Sequence, residues 1–161
     1  MDLFGGAKNL DRIHMVLAEK QSPVDVLVIE DNPGDVRLLE EAFRELKADI
    51  RMLVAKDGAE AVEMISAARS DQDRCLPDLI LLDLNLPKLS GHDVLARIKD
   101  NPVTRRIPVI ILTSSRAELD VKRAYDGHAN AYLRKPSTLD GLIAAAEQIK
   151  HFWMDLATLP D

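Results

Sequence analysis

The chain has 161 residues, enough for one ordinary domain with a buried core and too few for a second domain of usual size. Hydrophobic residues make up 47% and charged residues 30%, the balance of a globular protein in water, and no apolar run is long enough to span a bilayer. The formal net charge is −6, from 21 basic and 27 acidic residues, which argues against nucleic acid or an anionic membrane as the main partner.

Residues 1–22 lack the apolar stretch of a signal peptide; Leu10, Ile13 and Leu17 share helical spacing, and Ser22-Pro23 closes the segment. They read as a short leader, weakly docked and helical in part. "VDVLVI" (24–29) is the first compact apolar run and ends in Glu30-Asp31. "GDVRLLEEAFRELK" follows, with Val36, Leu39, Phe43 and Leu46 on one helical face. A weaker strand, "IRMLVA" (50–55), precedes the helical "GAEAVEMISAAR". Cys75, the single cysteine, excludes an internal disulfide, points to a reducing cytoplasm and reads as a loop or half-buried thiol.

"DLILLDL" (78–84) carries Asp83 to the end of a buried strand, with Pro87 and Gly91 punctuating the turn after it. "GHDVLARIKD" is helical, "IPVIILT" (107–113) is a strand ending in Thr113-Ser114, and "RAELDVKRAYD" is helical again. "NAYLRKP" (130–136) is a short strand that delivers Lys135-Pro136. The last helix is expected to be the longest, with Leu139, Leu142, Ile143, Ala146, Ile149, Trp153 and Leu156 as one stripe. The strands are rich in Val, Ile and Leu without clean alternation, as when both faces are covered. Five strands alternating with five helices predict an α/β, doubly wound (βα)5 architecture around a parallel sheet.

In such a sheet, ligands collect outside the carboxyl ends of the strands. Those ends carry Glu30, Asp31, Asp83, Thr113 and Lys135. Clustered carboxylates repel one another unless a cation lies among them, and hard, water-accessible oxygens suit Mg²⁺ better than a caged transition metal. Asp83 is then placed to attack phosphorus and form an aspartyl phosphate, with Lys135 and the Thr113 hydroxyl holding the transferred oxygens. Any one of these residues alone reads as an acid capping a turn or bridged to a lysine. Their convergence at four strand ends favours chemistry.

"VLVIEDNPGDVRLLEEAF", "PDLILLDLNLPKLSGHDVLARIK", "IPVIILTSS" and "AYLRKP" resemble the receiver domain of two-component response regulators, a flavodoxin-like fold, over roughly residues 23–160. Within that family the chain is most similar to stand-alone regulators of phytochrome-type histidine kinases, on "EDNPGD", "LDLNLPK", "YDGHANAYLRKP" and the closing "HFW". The resemblance implies that Asp83 accepts the phosphoryl group from a sensor kinase and that Glu30 and Asp31 hold Mg²⁺ with Asp83 and the Asn85 backbone carbonyl. It implies Thr113 as the switch hydroxyl, Tyr132 as the aromatic coupled to it, Lys135 as the phosphoryl ligand, and a cis peptide between Lys135 and Pro136. Thr113 lies thirty residues beyond Asp83 and Lys135 twenty-two beyond Thr113, which supports the mapping. The leader, Arg134 and "STLDGL" depart from the family pattern or follow it loosely.

His92 and His128 lack partners at metal-ligand spacing and read as surface or helix-end residues. "EDNPGD" lacks the spacing of a calcium loop, and Gly34 in it opens the first helix. Phe152 falls off the stripe that includes Trp153, which marks either a contact surface or an aromatic folded onto the domain's own flank. A homodimer through helix four, strand five and helix five, burying Phe152, is expected from the relatives the chain resembles.

The alternative function class is an enzyme, a small phosphatase or phosphotransferase with an aspartyl intermediate, or else an intermediate in a phosphorelay. Asn85 stands where such a hydrolase would need a second acid, and its amide cannot act as one. A redox flavodoxin is a more distant reading, because no loop offers a clear flavin phosphate cradle. A switch without catalytic turnover, acting through protein contacts that include the kinase and a phosphotransfer protein, is the expectation.

Overall fold

The computed structural model describes residues 22–70 and 76–160, so the readings of the leader over 1–21 and of Cys75 lie outside the described residues. Strands β1 (Val24–Ile29), β2 (Ile50–Ala55), β3 (Leu79–Leu82), β4 (Val109–Thr113) and β5 (Ala131–Arg134) alternate with helices α1 (Pro33–Glu45), α2 (Gly58–Ser70), α3 (Gly91–Asp100), α4 (Glu118–Asp126) and α5 (Leu139–Ile149). All pairings are parallel, in the order β2-β1-β3-β4-β5.

The absence of alternation in the strands has the expected cause. Successive residues of β1 enter two different cores: Leu27 and Ile29 pack with Ala61, Ile65, Val94, Leu95 and Ile98 on one face. Val26 and Val28 pack with Leu39, Ala42 and Phe43 of α1 and Leu142, Ala146 and Ile149 of α5 on the other. Burying each such side chain contributes roughly 1.5–3 kcal/mol, so the sheet is a rigid base for whatever its ends carry.

Side chains set the helix starts. Asn32 caps α1 by accepting from the Gly34 and Asp35 amides at 2.8 and 3.3 Å, with Pro33 as the first helical residue. Ser90 caps α3 through the Asp93 amide, and Thr138 caps α5 through the Gly141 amide. β3 stops at Leu82, one residue short of Asp83, but the Asp83 amide still donates to the Ile29 carbonyl at 3.0 Å. The acid is thus free of the ladder on its carboxyl side and fixed by it on the amide side. β4 begins after Pro108, which has no N–H to donate and offers its carbonyl to the Ile80 amide.

The last helix departs from expectation. As an α-helix it ends at Ile149, shorter than α1, and continues as a wider π-helical turn over Lys150–Leu156, closed by the Ala157 amide on the Phe152 carbonyl at 2.8 Å. Each extra residue per turn rotates the stripe away from the core. Leu142, Ala146 and Ile149 are buried and Trp153 packs half-buried beside them, but Leu156 is 65% exposed, as is Leu139 at 40%.

Gly91 fixes the loop that carries Asp83. Its amide donates to the Leu84 carbonyl at 3.0 Å, and a Cβ there would lie 2.3 Å from the Asp83 carbonyl oxygen and 2.5 Å from Leu84 Cα. Because both obstacles are backbone, Gly91→Ala must displace the Asp83 loop. It is expected to cost about 1–3 kcal/mol in urea-induced unfolding; stability equal to wild type contradicts the close packing.

Candidate functional site

The strand order places β1 and β3 side by side at the point where the chain reverses its direction of winding, and a crevice opens there. Glu30 and Asp31 follow β1, and Asp83 follows β3. Carboxylate oxygens of these three residues lie within 4.8 Å of one another; Glu30 and Asp83 are buried and Asp31 is exposed. Glu30 Oε1 accepts from the Asn32 amide at 3.0 Å, and Asp83 Oδ1 from the Asn85 amide at 3.2 Å.

Lys135, just past β5, reaches into the cluster. Its ammonium donates to Glu30, to Asp83 Oδ2 at 3.1 Å and to Asp35 Oδ2 at 3.0 Å. Its own amide donates to the Thr113 carbonyl at 2.8 Å, which ties the lysine to the end of β4. Burial works against its charge. The hydrogen bonds to Glu30 and Asp35 and the charges of Asp83 and Glu30 outweigh that and hold the ammonium well above its ordinary value. Glu30 moves the same way for a different reason: burial pushes it up to about 7, aided by the Asp83 charge and opposed by Lys135 and the Asn32 amide.

The cluster also carries an excess of negative charge. Four carboxylates (Glu30, Asp31, Asp35, Asp83) and one ammonium leave −3 when all are ionised, a charge that one lysine cannot neutralise. A divalent cation on the three clustered carboxylates would bring it to −1. The donors are hard oxygens, one of them open to water, and this set fits such an ion. In front of it lies a cavity of about 350 Å³ lined on the polar side by Glu30, Asp35, Asp83, Ser114, Arg116 and Lys135.

The structure brings Glu30, Asp31, Asp83 and Lys135 together as the sequence implied. Thr113 is fully buried at the end of β4, and its hydroxyl accepts from the Ser115 amide at 3.4 Å rather than bonding Asp83. Tyr132 is half-buried against the core and donates its hydroxyl to the Ser115 carbonyl at 3.2 Å. The Lys135–Pro136 bond is trans, which corrects the cis expectation. The trans form is favoured by about 0.5–1 kcal/mol before proline, and Lys135 reaches its three acids from it.

Asp35 was missed: it lies inside the quoted "EDNPGD", but its contact with a lysine a hundred residues away has no local signal. His128 is a helix-end residue as expected, exposed and left-handed at φ 68° where the chain leaves α4. His92 is at a helix end but is not a surface residue: it is buried and bonded to Asp120. Phe152 is 53% exposed and makes an edge-on contact with Trp153 at 4.9 Å.

With this geometry established, comparison with known proteins is specific. Residues 26–147 match the response regulator receiver domain. The response regulator Rcp1 of Synechocystis sp. is 39% identical over 142 residues, covering 88% of this chain and 97% of that protein. The crystal structure of the phosphorylated cyanobacterial phytochrome response regulator RcpA matches with a TM-score of 0.79 at 39% identity, covering 86% of this chain and 99% of that one. Mn²⁺-bound Rcp1 matches with a TM-score of 0.79 at 40% identity, covering 86% of this chain and all of that one (100%). The chain belongs to the response regulator receiver family. It is a phosphoacceptor of two-component signalling, and a histidine kinase is its class of partner. No helix among the described residues is long and apolar enough to cross a membrane.

The Glu30 carboxyl carries a pH signature. Its folded value of about 7 exceeds the 4.5 it has when free, so its contribution to folding is full below pH 4.5 and is lost as pH rises to about 7. In metal-free buffer Glu30→Gln should therefore gain stability over wild type as pH rises through that window, by on the order of 1–3 kcal/mol above it. Urea unfolding at a series of pH values checks this; a difference that does not change with pH contradicts it.

Proposed function

We propose that Asp83 is the residue that takes the phosphoryl group, and that the chain acts as a switch rather than a turnover catalyst. The observation that carries this is the position of the Asp83 carboxylate: at the mouth of the crevice, bonded through Oδ2 to Lys135 and clustered with Glu30 and Asp31. A carboxylate oxygen of Asp83 attacks phosphorus, the P–N bond to the kinase histidine breaks, and the imidazole leaves with its electron pair. Glu30, Asp31, Asp83 and the Asn85 carbonyl would hold Mg²⁺, which supplies charge neutralisation for the transferring oxygens. Lys135 already contacts Asp83 and needs only a small movement to reach a phosphoryl oxygen on it. The Thr113 hydroxyl would turn from Ser115 to the same group, with Tyr132 following.

The competing enzyme reading lacks the acid two residues beyond Asp83 that such hydrolases use, since Asn85 occupies that place. A phytochrome-type kinase as donor rests on the likeness to the cyanobacterial phytochrome regulator RcpA. A cytoplasmic location and output through protein contact, including a phosphotransfer protein, complete the reading; the net charge of −6 disfavours nucleic acid.

Incubation with acetyl phosphate and Mg²⁺ should add one acid-stable, alkali-labile phosphate to wild type and none to Asp83→Asn, measured by intact mass. Asp31→Ala should lose the Mg²⁺ dependence together with at least tenfold in rate. Modification of the Asn variant at the wild-type rate overturns the assignment.

Exposed apolar residues support the homodimer expected from the relatives. Leu119 (75% exposed) and Tyr125 (51%) stand out from α4, and Phe152 (53%) and Leu156 (65%) from the turn after α5. A homodimer across α4, β5 and α5 would cover this apolar surface about a two-fold axis. Phe152→Ala should shift the monomer–dimer equilibrium toward monomer by at least tenfold without changing phosphate uptake. Light scattering during size-exclusion chromatography, with and without beryllofluoride, checks it; a wild type that is monomeric in both conditions contradicts it.

A further inference from the structure

A chain of hydrogen bonds outside the acidic cluster ties the switch loop to the helices on either side. Ser115, two residues past Thr113, has every polar group engaged. Its amide donates to the Thr113 hydroxyl at 3.4 Å, and its carbonyl accepts from the Tyr132 hydroxyl at 3.2 Å. Its own hydroxyl donates to Asp120 Oδ2 at 2.5 Å. The other oxygen of Asp120, in the first turn of α4, accepts from His92 Nε2 at 3.1 Å. His92 is buried, and its Nδ1 has no hydrogen-bond partner among the described residues, so the polar contact seen for the imidazole is with Asp120. It also adjoins Gly91, whose backbone lies against the Asp83 carbonyl. The network therefore joins the loop of the phosphoacceptor, through α3 and α4, to the loop of the switch hydroxyl.

We infer that His92 and Asp120 are positioning residues of the switch: through Ser115 they hold the loop between β4 and α4, and with it Thr113, in the arrangement that accompanies unmodified Asp83. The inference rests on the proposed role of Asp83. For the Thr113 hydroxyl to reach a phosphoryl group on Asp83 it must leave the Ser115 amide, and Ser115 cannot shift far while Asp120 holds its hydroxyl. Asp120 is itself an anchored acceptor: the Ser115 hydroxyl and then the His92 imidazole hold its carboxyl below the usual range, so both oxygens accept. Releasing the latch is part of the free energy of activation, and removing it in advance should favour the activated form.

The full chain is titrated with beryllofluoride in saturating Mg²⁺, and the amide resonances of the β4–α4 loop are followed. Asp120→Ala and Ser115→Ala should each bind the mimic about three- to tenfold more tightly than wild type. The double variant should gain no more than either single one, because the two residues act as one contact. His92→Leu should show the same gain, and His92→Gln should restore wild-type affinity, since its side-chain amide replaces the Nε2 donor. Glu118→Ala, which removes an exposed acid from the same turn of α4 without touching Ser115 or His92, should change nothing. Ser115→Ala removes one half-buried hydroxyl, which donates to Asp120 and accepts from the Ala117 amide at 3.4 Å, and decides the matter should the helix variants fold poorly. Wild-type affinity in Asp120→Ala and Ser115→Ala, or a gain shared by Glu118→Ala, overturns the latch. A wild type that binds no beryllofluoride overturns the role of Asp83, and the latch with it.

Discussion

Excess negative charge in a crevice that water only partly reaches governs the rest of this molecule. Four carboxylates face one ammonium, and the sheet around them is packed too well to let them spread apart. Such a site cannot be neutral by itself. Burial, aided by the Asp83 charge, raises the Glu30 carboxyl, the acids keep Lys135 charged, and the site is left with a net charge that a divalent cation and a phosphoryl group would redistribute. The repulsion among the acids and the capacity of the site to respond to added charge are the same physical fact.

On the proposed reading, the fold would convert that electrostatic tension into movement at a distance. Asp83 is fixed on its amide side by the ladder to Ile29 and below by the glycine contact at Gly91, so its loop has little freedom. The elements that can give are those held by few, partly exposed bonds: the Thr113–Ser115 loop, Tyr132, and the start of α4, which has no side-chain cap. Lys135 links the two regions because its ammonium touches the acids and its amide holds the end of β4. On the proposed reading, charge at one end of the crevice would be felt by β5 and by α4, which also presents Leu119 and Tyr125.

On the proposed reading, Asn85 is what sets this site apart from a hydrolase of similar appearance. Its backbone supports Asp83, while its side chain can neither protonate a leaving group nor activate water as a carboxylate would.

The sequence by itself determined the parts that depend on local chemistry. Apolar runs such as "VDVLVI" and "IPVIILT" can only be strands covered on both faces, and the acids, threonine and lysine that end the runs must then meet at one edge, because a parallel sheet brings all carboxyl ends together. What only the tertiary structure decided is which of those groups touch. Asp35 joins Lys135 across a hundred residues, His92 turns inward to Asp120, and the end of the last helix widens so that Leu156 leaves the core. Each depends on the separation and rotation of whole elements. Helical periodicity assigns a residue to a face, but a hydrogen bond is won or lost within half an ångström, and that distance is set by the packing of the core between the two ends of the chain.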